Sequence, residues 1–274
     1  MIGNVSPLRY PGGKTKIYPL VQDILKKNNL IGGVYVEPFA GGCGLALKLL
    51  FSKDVKEIII NDLDLCIYAF WFSVLNHTNS IVELILKTPI TIDEWYKQKK
   101  VYLNEKEDLL KLGFATFFLN RTNVSGIIKG GVIGGITQSG KYKIDTRFNK
   151  EQLITKIKNI GAKKKNIRLF NLDAIDLLKE IDIAKRRKIF INFDPPYVKK
   201  GKELYKNSFQ KEDHLRLCHA ISSCKKKWIV TYDVHQLVRE AYQNYRQGFL
   251  DIRYSAHKHR VGQELIVYSS NLIV

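Results

Sequence analysis

One run most constrains how this chain can fold: Ile189-Phe190-Ile191-Asn192-Phe193, followed at once by Asp194-Pro195-Pro196-Tyr197. Five mostly apolar residues closed by a double proline read as a strand buried on both faces. Two consecutive prolines cannot continue a sheet ladder, so the backbone must leave the sheet there. In an open α/β sheet, ligands bind beyond the carboxyl ends of the strands. The tetrapeptide therefore presents a carboxylate, a backbone carbonyl and an aromatic ring at an expected site.

The rest of the chain supplies the elements such a sheet needs. Residues 33–37 read as a short strand ending in Pro38-Phe39-Ala40-Gly41-Gly42-Cys43-Gly44, with a helix over 45–51. Strand, glycine turn and helix form a nucleotide-cofactor half-site, because glycine lets a ligand approach the backbone. A second strand over 57–62 ends at Asp62, 21 positions after Gly41, near the spacing at which a carboxylate reaches ribose hydroxyls. Upstream, Pro11-Gly12-Gly13-Lys14 precedes an amphipathic helix over 18–27. It is not a P-loop, which needs glycine where Leu8 stands.

From residue 63 the pattern turns helical, with periodicity near 67–72, 80–87, 92–102 and 105–120. A long glycine-rich stretch follows over 122–142; loops of that length in compact domains carry function. Strands over 166–170, 188–193 and 228–232 then alternate with helices over 173–183, 211–223 and 234–242, and segments 250–255 and 264–268 alternate as a hairpin does. The expected fold is α/β: a Rossmann-like sheet with a C-terminal β-hairpin and an inserted, mainly helical domain. The expected boundaries are 1–63 with 166–274 for the sheet domain and 64–165 for the insertion.

A net charge of +19, partly in the clusters Lys163-Lys164-Lys165, Lys185-Arg186-Arg187-Lys188 and Lys225-Lys226-Lys227, recruits polyanions, nucleic acid first. Four cysteines without a CxxC pair suggest no disulfide framework and point to a reducing, cytoplasmic setting. No membrane span is expected. No metal is expected either: His214, Cys218 and His219 lack a completing carboxylate motif.

In that order, Pro11-Gly12-Gly13-Lys14, Glu37-Pro38-Phe39-Ala40-Gly41, Asp62 and Asp194-Pro195-Pro196-Tyr197 resemble the Dam-type, alpha-group DNA adenine N6-methyltransferases. Leu119-Asn120-Arg121, Asn207-Ser208-Phe209 and Glu264-Leu265 extend the likeness over nearly the whole chain. The resemblance implies S-adenosylmethionine as cofactor and double-stranded DNA as substrate. It implies that Glu37, Pro38, Phe39, Ala40 and Gly41 floor the methionine pocket and that Tyr10 and Lys14 border it. Asp62 would take the ribose hydroxyls. Asp173, with Asp176 as competitor, would contact the cofactor adenine. The insertion would recognise the target, with Arg121, Asn123, Lys129, Lys141 and Arg147 as DNA contacts.

The chemistry suits these residues. The exocyclic amine of adenine is a poor nucleophile because its lone pair is delocalised into the ring. Asp194 and the Pro195 carbonyl, accepting its two hydrogens, would localise that pair; proline offers a carbonyl with no competing N–H. The base must be flipped out of the duplex, and Tyr197 would stack on it. Methylation at cytosine C5 needs a cysteine nucleophile, usually after proline, and no Pro-Cys pair is present.

The recognition loop departs from the Dam pattern: Thr122, Val124 and Ser125 replace two tyrosines and an asparagine, and Lys129 stands in place of arginine. The resemblance therefore carries no recognition sequence over. A methyltransferase acting on RNA or on another amine, and a non-catalytic nucleic-acid-binding protein, are the alternative readings. A cognate restriction endonuclease is the further partner expected in a bacterial or phage setting.

Overall fold

A computed structural model describes residues 5–10, 12–183, 188–198, 209–254 and 260–274. By compactness the chain forms two units: Lys14–Asp64 with Phe170–Val274, and Met1–Gly13 with Leu65–Leu169.

The first is a sheet unit. Its strands are β1 (Gly33–Glu37), β2 (Val55–Asn61), β3 (Ile167–Phe170), with which the chain re-enters this unit, β4 (Ile189–Phe193), β5 (Lys227–Asp233), β6 (Arg246–Tyr254) and β7 (Arg260–Tyr268). Their order is β3-β2-β1-β4-β5-β7-β6. β1 runs parallel to β2 and β4, and β4 to β5; β7 is antiparallel to both β5 and β6. Every residue of β1 and β4 is buried, as a central strand covered on both faces requires. One hydrophobic cluster includes Val36 and Ile191 with Leu177, Leu217 and Ile221 from the flanking helices. The hairpin strands are longer than their alternation suggests, because edge residues such as Arg246 need no apolar partner to join a ladder.

The strand order reverses between β1 and β4. That switch point is where a doubly wound sheet opens a crevice at its carboxyl edge. Glu37 ends β1 and Asp194 follows β4, so the topology delivers both to this crevice.

After α1 (Tyr18–Lys27) and α2 (Gly44–Phe51) of the sheet unit, the second unit is helical: α3 (Leu65–Asn76), α4 (Thr78–Lys87), α5 (Ile92–Asn104), α6 (Leu109–Thr122) and α7 (Lys150–Gly161). α6 is its axis, buried at nearly every position and packed by Phe70, Phe117, Phe118 and Phe148. Gly113 permits the close approach of α3: a Cβ there would meet the Ala69 carbonyl oxygen at 2.4 Å. The glycine-rich stretch is folded by internal hydrogen bonds. Asn123, at the end of α6, donates its amide to the carbonyls of Ile127 and Ile128 and accepts from the Trp95 indole.

Candidate active site

The turn after β1 is shaped before any ligand arrives. Gly41 (φ 45°) and Cys43 (φ 52°) both adopt left-handed conformations, and Cys43 opens the helix Gly44–Phe51. Glu37 lies beneath this turn, 6% exposed, with Oε1 accepting from the Tyr35 hydroxyl at 3.1 Å and the Ala46 N–H at 3.2 Å. Burial raises its carboxyl to about 8, and the negative charge of Asp194 adds to the rise. Asp62 Oδ2 accepts the Gly41 N–H at 2.9 Å, tying the end of β2 to the glycine turn, and Oδ1 accepts the Asp64 N–H. Burial raises this carboxyl to about 7 against the pull of those two donors. Asn61, which sequence reasoning passed over, locks the same turn. Its amide donates to Pro38 O and Leu172 O while its Oδ1 accepts the Leu172 N–H.

Asp194 is clamped from both sides. Lys14 Nζ lies 2.8 Å from Oδ2, and the Thr231 hydroxyl donates to Oδ1 at 2.9 Å. The same ammonium donates to the Tyr197 hydroxyl at 2.8 Å and stands 3.5 Å from Glu264, whose side chain is fully buried on β7. Lys14, expected at the cofactor border, is thus in direct contact with the tetrapeptide. Burial works against its charge, yet Asp194 and Glu264 outweigh that cost and raise its pKa, so it stays protonated. For Asp194, burial and Glu264 push upward against the pull of Lys14. Pro195 is buried; Pro196 and Tyr197 are half-buried, and the Tyr197 ring is backed by Tyr232 at 6.4 Å. Thr231 could be read from sequence only as a strand residue, and Glu264 only as part of the Glu264-Leu265 likeness; their partnership with Asp194 comes from the order of β4, β5 and β7.

Other expected residues are placed as follows. Phe39 meets Phe209 edge-on at 6.1 Å. Asp173 is half-buried, capping its own helix at Ile175 N and facing Arg216 at 3.5 Å, whereas Asp176 is exposed and paired with Lys179. Tyr10 groups with the helical unit, its carbonyl accepting the Gly13 N–H. Of the expected DNA contacts, Lys129, Lys141 and Arg147 are exposed and Arg121 is half-buried. Asn123 differs from its expectation: it is fully buried, and its side chain is spent on holding the loop. Pro11, Lys185-Arg186-Arg187 and Asn207-Ser208 lie outside the described residues.

A family model of the D12 class N6 adenine-specific DNA methyltransferases matches residues 10–257, which takes in the residues just described except Glu264. The chain belongs to this family. Its activity is methylation of adenine N6 in DNA. The methyltransferase is 26% identical over 230 residues to the type II methyltransferase M.MjaIII of Methanocaldococcus jannaschii, covering 77% of this chain and 76% of that one. It is 22% identical over 267 residues to the type II methyltransferase M.CviBI of Paramecium bursaria Chlorella virus NC1A, covering 94% and 95%. Among solved structures, the rRNA methyltransferase aviRa from Streptomyces viridochromogenes aligns at 14% identity and TM-score 0.41, over 98% of this chain and 90% of its own. The fold assignment rests on the strand order above.

Proposed function

We propose that the methyltransferase transfers the methyl group of S-adenosylmethionine to an adenine flipped out of double-stranded DNA, using Asp194, Pro195 and Tyr197 at the reacting base. The observation that carries this reading is the clamp on Asp194. With Oδ2 on the Lys14 ammonium and Oδ1 on the Thr231 hydroxyl, the carboxylate is oriented in advance and each oxygen keeps a lone pair for an amine hydrogen. The Pro195 carbonyl takes the second hydrogen. Tyr197, anchored through its hydroxyl by Lys14, offers its ring for stacking. The amine sheds one proton as its new N–C bond forms, and Asp194 is the first acceptor for it.

The residues fit the cofactor. Asp194 and Glu264 are two carboxylates facing one ammonium, so the site has negative charge to spare for a cation, while Glu37, raised to about 8, offers a largely protonated carboxyl at neutral pH. When bound, S-adenosylmethionine supplies an activated methyl on a positively charged sulfonium. Glu37 and the turn through Gly41 would hold its methionine part, Asp62 its ribose and Asp173 its adenine. Asp176, turned to solvent, is the poorer candidate for that last role.

We assign target recognition to the helical unit, with Lys129, Lys141 and Arg147 facing DNA. Two relatives bear the name type II methyltransferase, and on that likeness we place this protein in the cytoplasm beside a restriction endonuclease of the same specificity. The test is tritium transfer from S-adenosylmethionine to unmodified genomic DNA, followed by sequencing that reads modified bases. N6-methyladenine in one sequence context is expected, and Asp194→Ala should lose transfer at least about 100-fold while keeping cofactor binding. Undiminished transfer by that variant would remove Asp194 from the reaction.

A further inference from the structure

Four cations of the helical unit, Arg9, Arg121, Arg147 and Lys156, repel one another: Arg121 feels Arg9 and Arg147, Arg9 feels Arg147, and Lys156 feels Arg121. Asn120, in the last turn of α6, closes both backbone groups of Arg9: its Oδ1 accepts the Arg9 N–H at 2.8 Å and its Nδ2 donates to the Arg9 carbonyl at 2.8 Å. Gly126 presses on the same carbonyl, which a Cβ there would meet at 2.3 Å. Arg9 Nη1 then donates to the Asn123 carbonyl at 3.1 Å. The 3-10 turn Ile144–Arg147 packs on α6 and brings in Arg147. From α7, Lys156 donates to the Ser6 carbonyl at 3.2 Å.

Among the described residues no carboxylate pairs with any of the four. The Arg121 Nε is buried without a hydrogen-bond partner. Burial, then the charges of Arg9 and Arg147, lower the Arg121 guanidinium to about 10, and burial together with Arg121 lowers Lys156. A buried donor left unpaired among like charges is costly, and such a group calls for an occupant that the protein itself does not supply.

We propose that Arg9, Arg121, Arg147 and Lys156 form a seat for one backbone phosphate of the bound DNA. The inference rests on the DNA methyltransferase reading and deepens it. Guanidinium forks match the unesterified oxygens of a phosphate, and a single compact anion can engage several cations at once. A base edge would engage one guanidinium and leave the others uncompensated. A phosphate seat is blind to sequence. Its work is to set the register of the duplex so that one adenine lies at the catalytic unit.

The experiment uses the full-length enzyme and duplexes in which each phosphate in turn is replaced by an uncharged methylphosphonate. Binding of each duplex is measured for the native enzyme, Arg121→Gln and Arg147→Gln. At one linkage the substitution should weaken the native enzyme about tenfold and leave both variants nearly unaffected. The slope of log affinity against log salt should fall by about one for each variant. Equal, multiplicative losses at every linkage would overturn the seat, as would losses that follow base identity instead. If Arg121→Gln does not fold, Arg147→Gln, altered at an exposed position, decides alone. Native enzyme that methylates DNA but shows no such linkage refutes the seat only; native enzyme with no methyl transfer refutes the function as well.

Discussion

The two units treat clustered charge in opposite ways. In the sheet unit, Lys14 stands between Asp194 and Glu264, and each carboxylate has its cation within 3.5 Å. In the helical unit, Arg9, Arg121, Arg147 and Lys156 crowd together with no described carboxylate among them. Charge that performs chemistry must keep its geometry before the substrate arrives, so its partners are built in. Charge that receives DNA gains most from having no partner until DNA supplies one. On the roles proposed above, one site is oriented by partners built into the fold and the other takes its partner from DNA.

Breaking the first kind should cost most. Lys14→Ala leaves Asp194 and Glu264 buried without their cation, and stability should fall by about 3 kcal/mol in denaturant unfolding. Methyl transfer should drop at least about 100-fold, since both Asp194 and Tyr197 lose their anchor. A variant with native stability would show that the sheet unit does not depend on this pairing.

A smaller effect should follow pH. Folded Glu37 titrates near 8, above the ordinary carboxylate value of 4.5, so the folded protein keeps a proton that the unfolded chain has released. The contribution is complete below about 4.5, declines as pH rises and is lost by about 8. Without cofactor, the melting temperature should therefore fall from pH 5 to 8.5, and Glu37→Gln should flatten that slope. An unaltered slope would assign the titration elsewhere.

The smallest effect belongs to the surface. Lys141 is exposed, with its ammonium near the Tyr142 ring. Lys141→Gln should weaken DNA binding about two- to threefold, evenly across sequences, and leave thermal stability unchanged. A larger loss than for Arg147→Gln would reverse the contrast between isolated and clustered cations.

Local chemistry made much of this legible in the sequence. The double proline marked where β4 leaves the sheet, and the glycines after Glu37 marked the turn, because both signals act through their own backbone. Asp194 was readable for the same reason. Its partners were not: Thr231 and Glu264 meet it only through the lateral order of strands far apart in the chain. Asn123 lay in a polar stretch that suggests a DNA-facing surface, yet tertiary packing turned it inward onto Trp95. Arg9 precedes a glycine turn that reads as part of the sheet unit, and nothing in that turn announces that Asn120 captures its backbone.

The sheet order has a consequence in time. β7 follows β6 in the chain, yet it inserts between β5 and β6 and brings Glu264 to Lys14. On the ribosome, Lys14 and Asp194 are synthesised long before their third partner emerges. The contacts among Lys14, Asp194 and Thr231 need only the parallel strands, whereas the Lys14–Glu264 contact needs the hairpin in place.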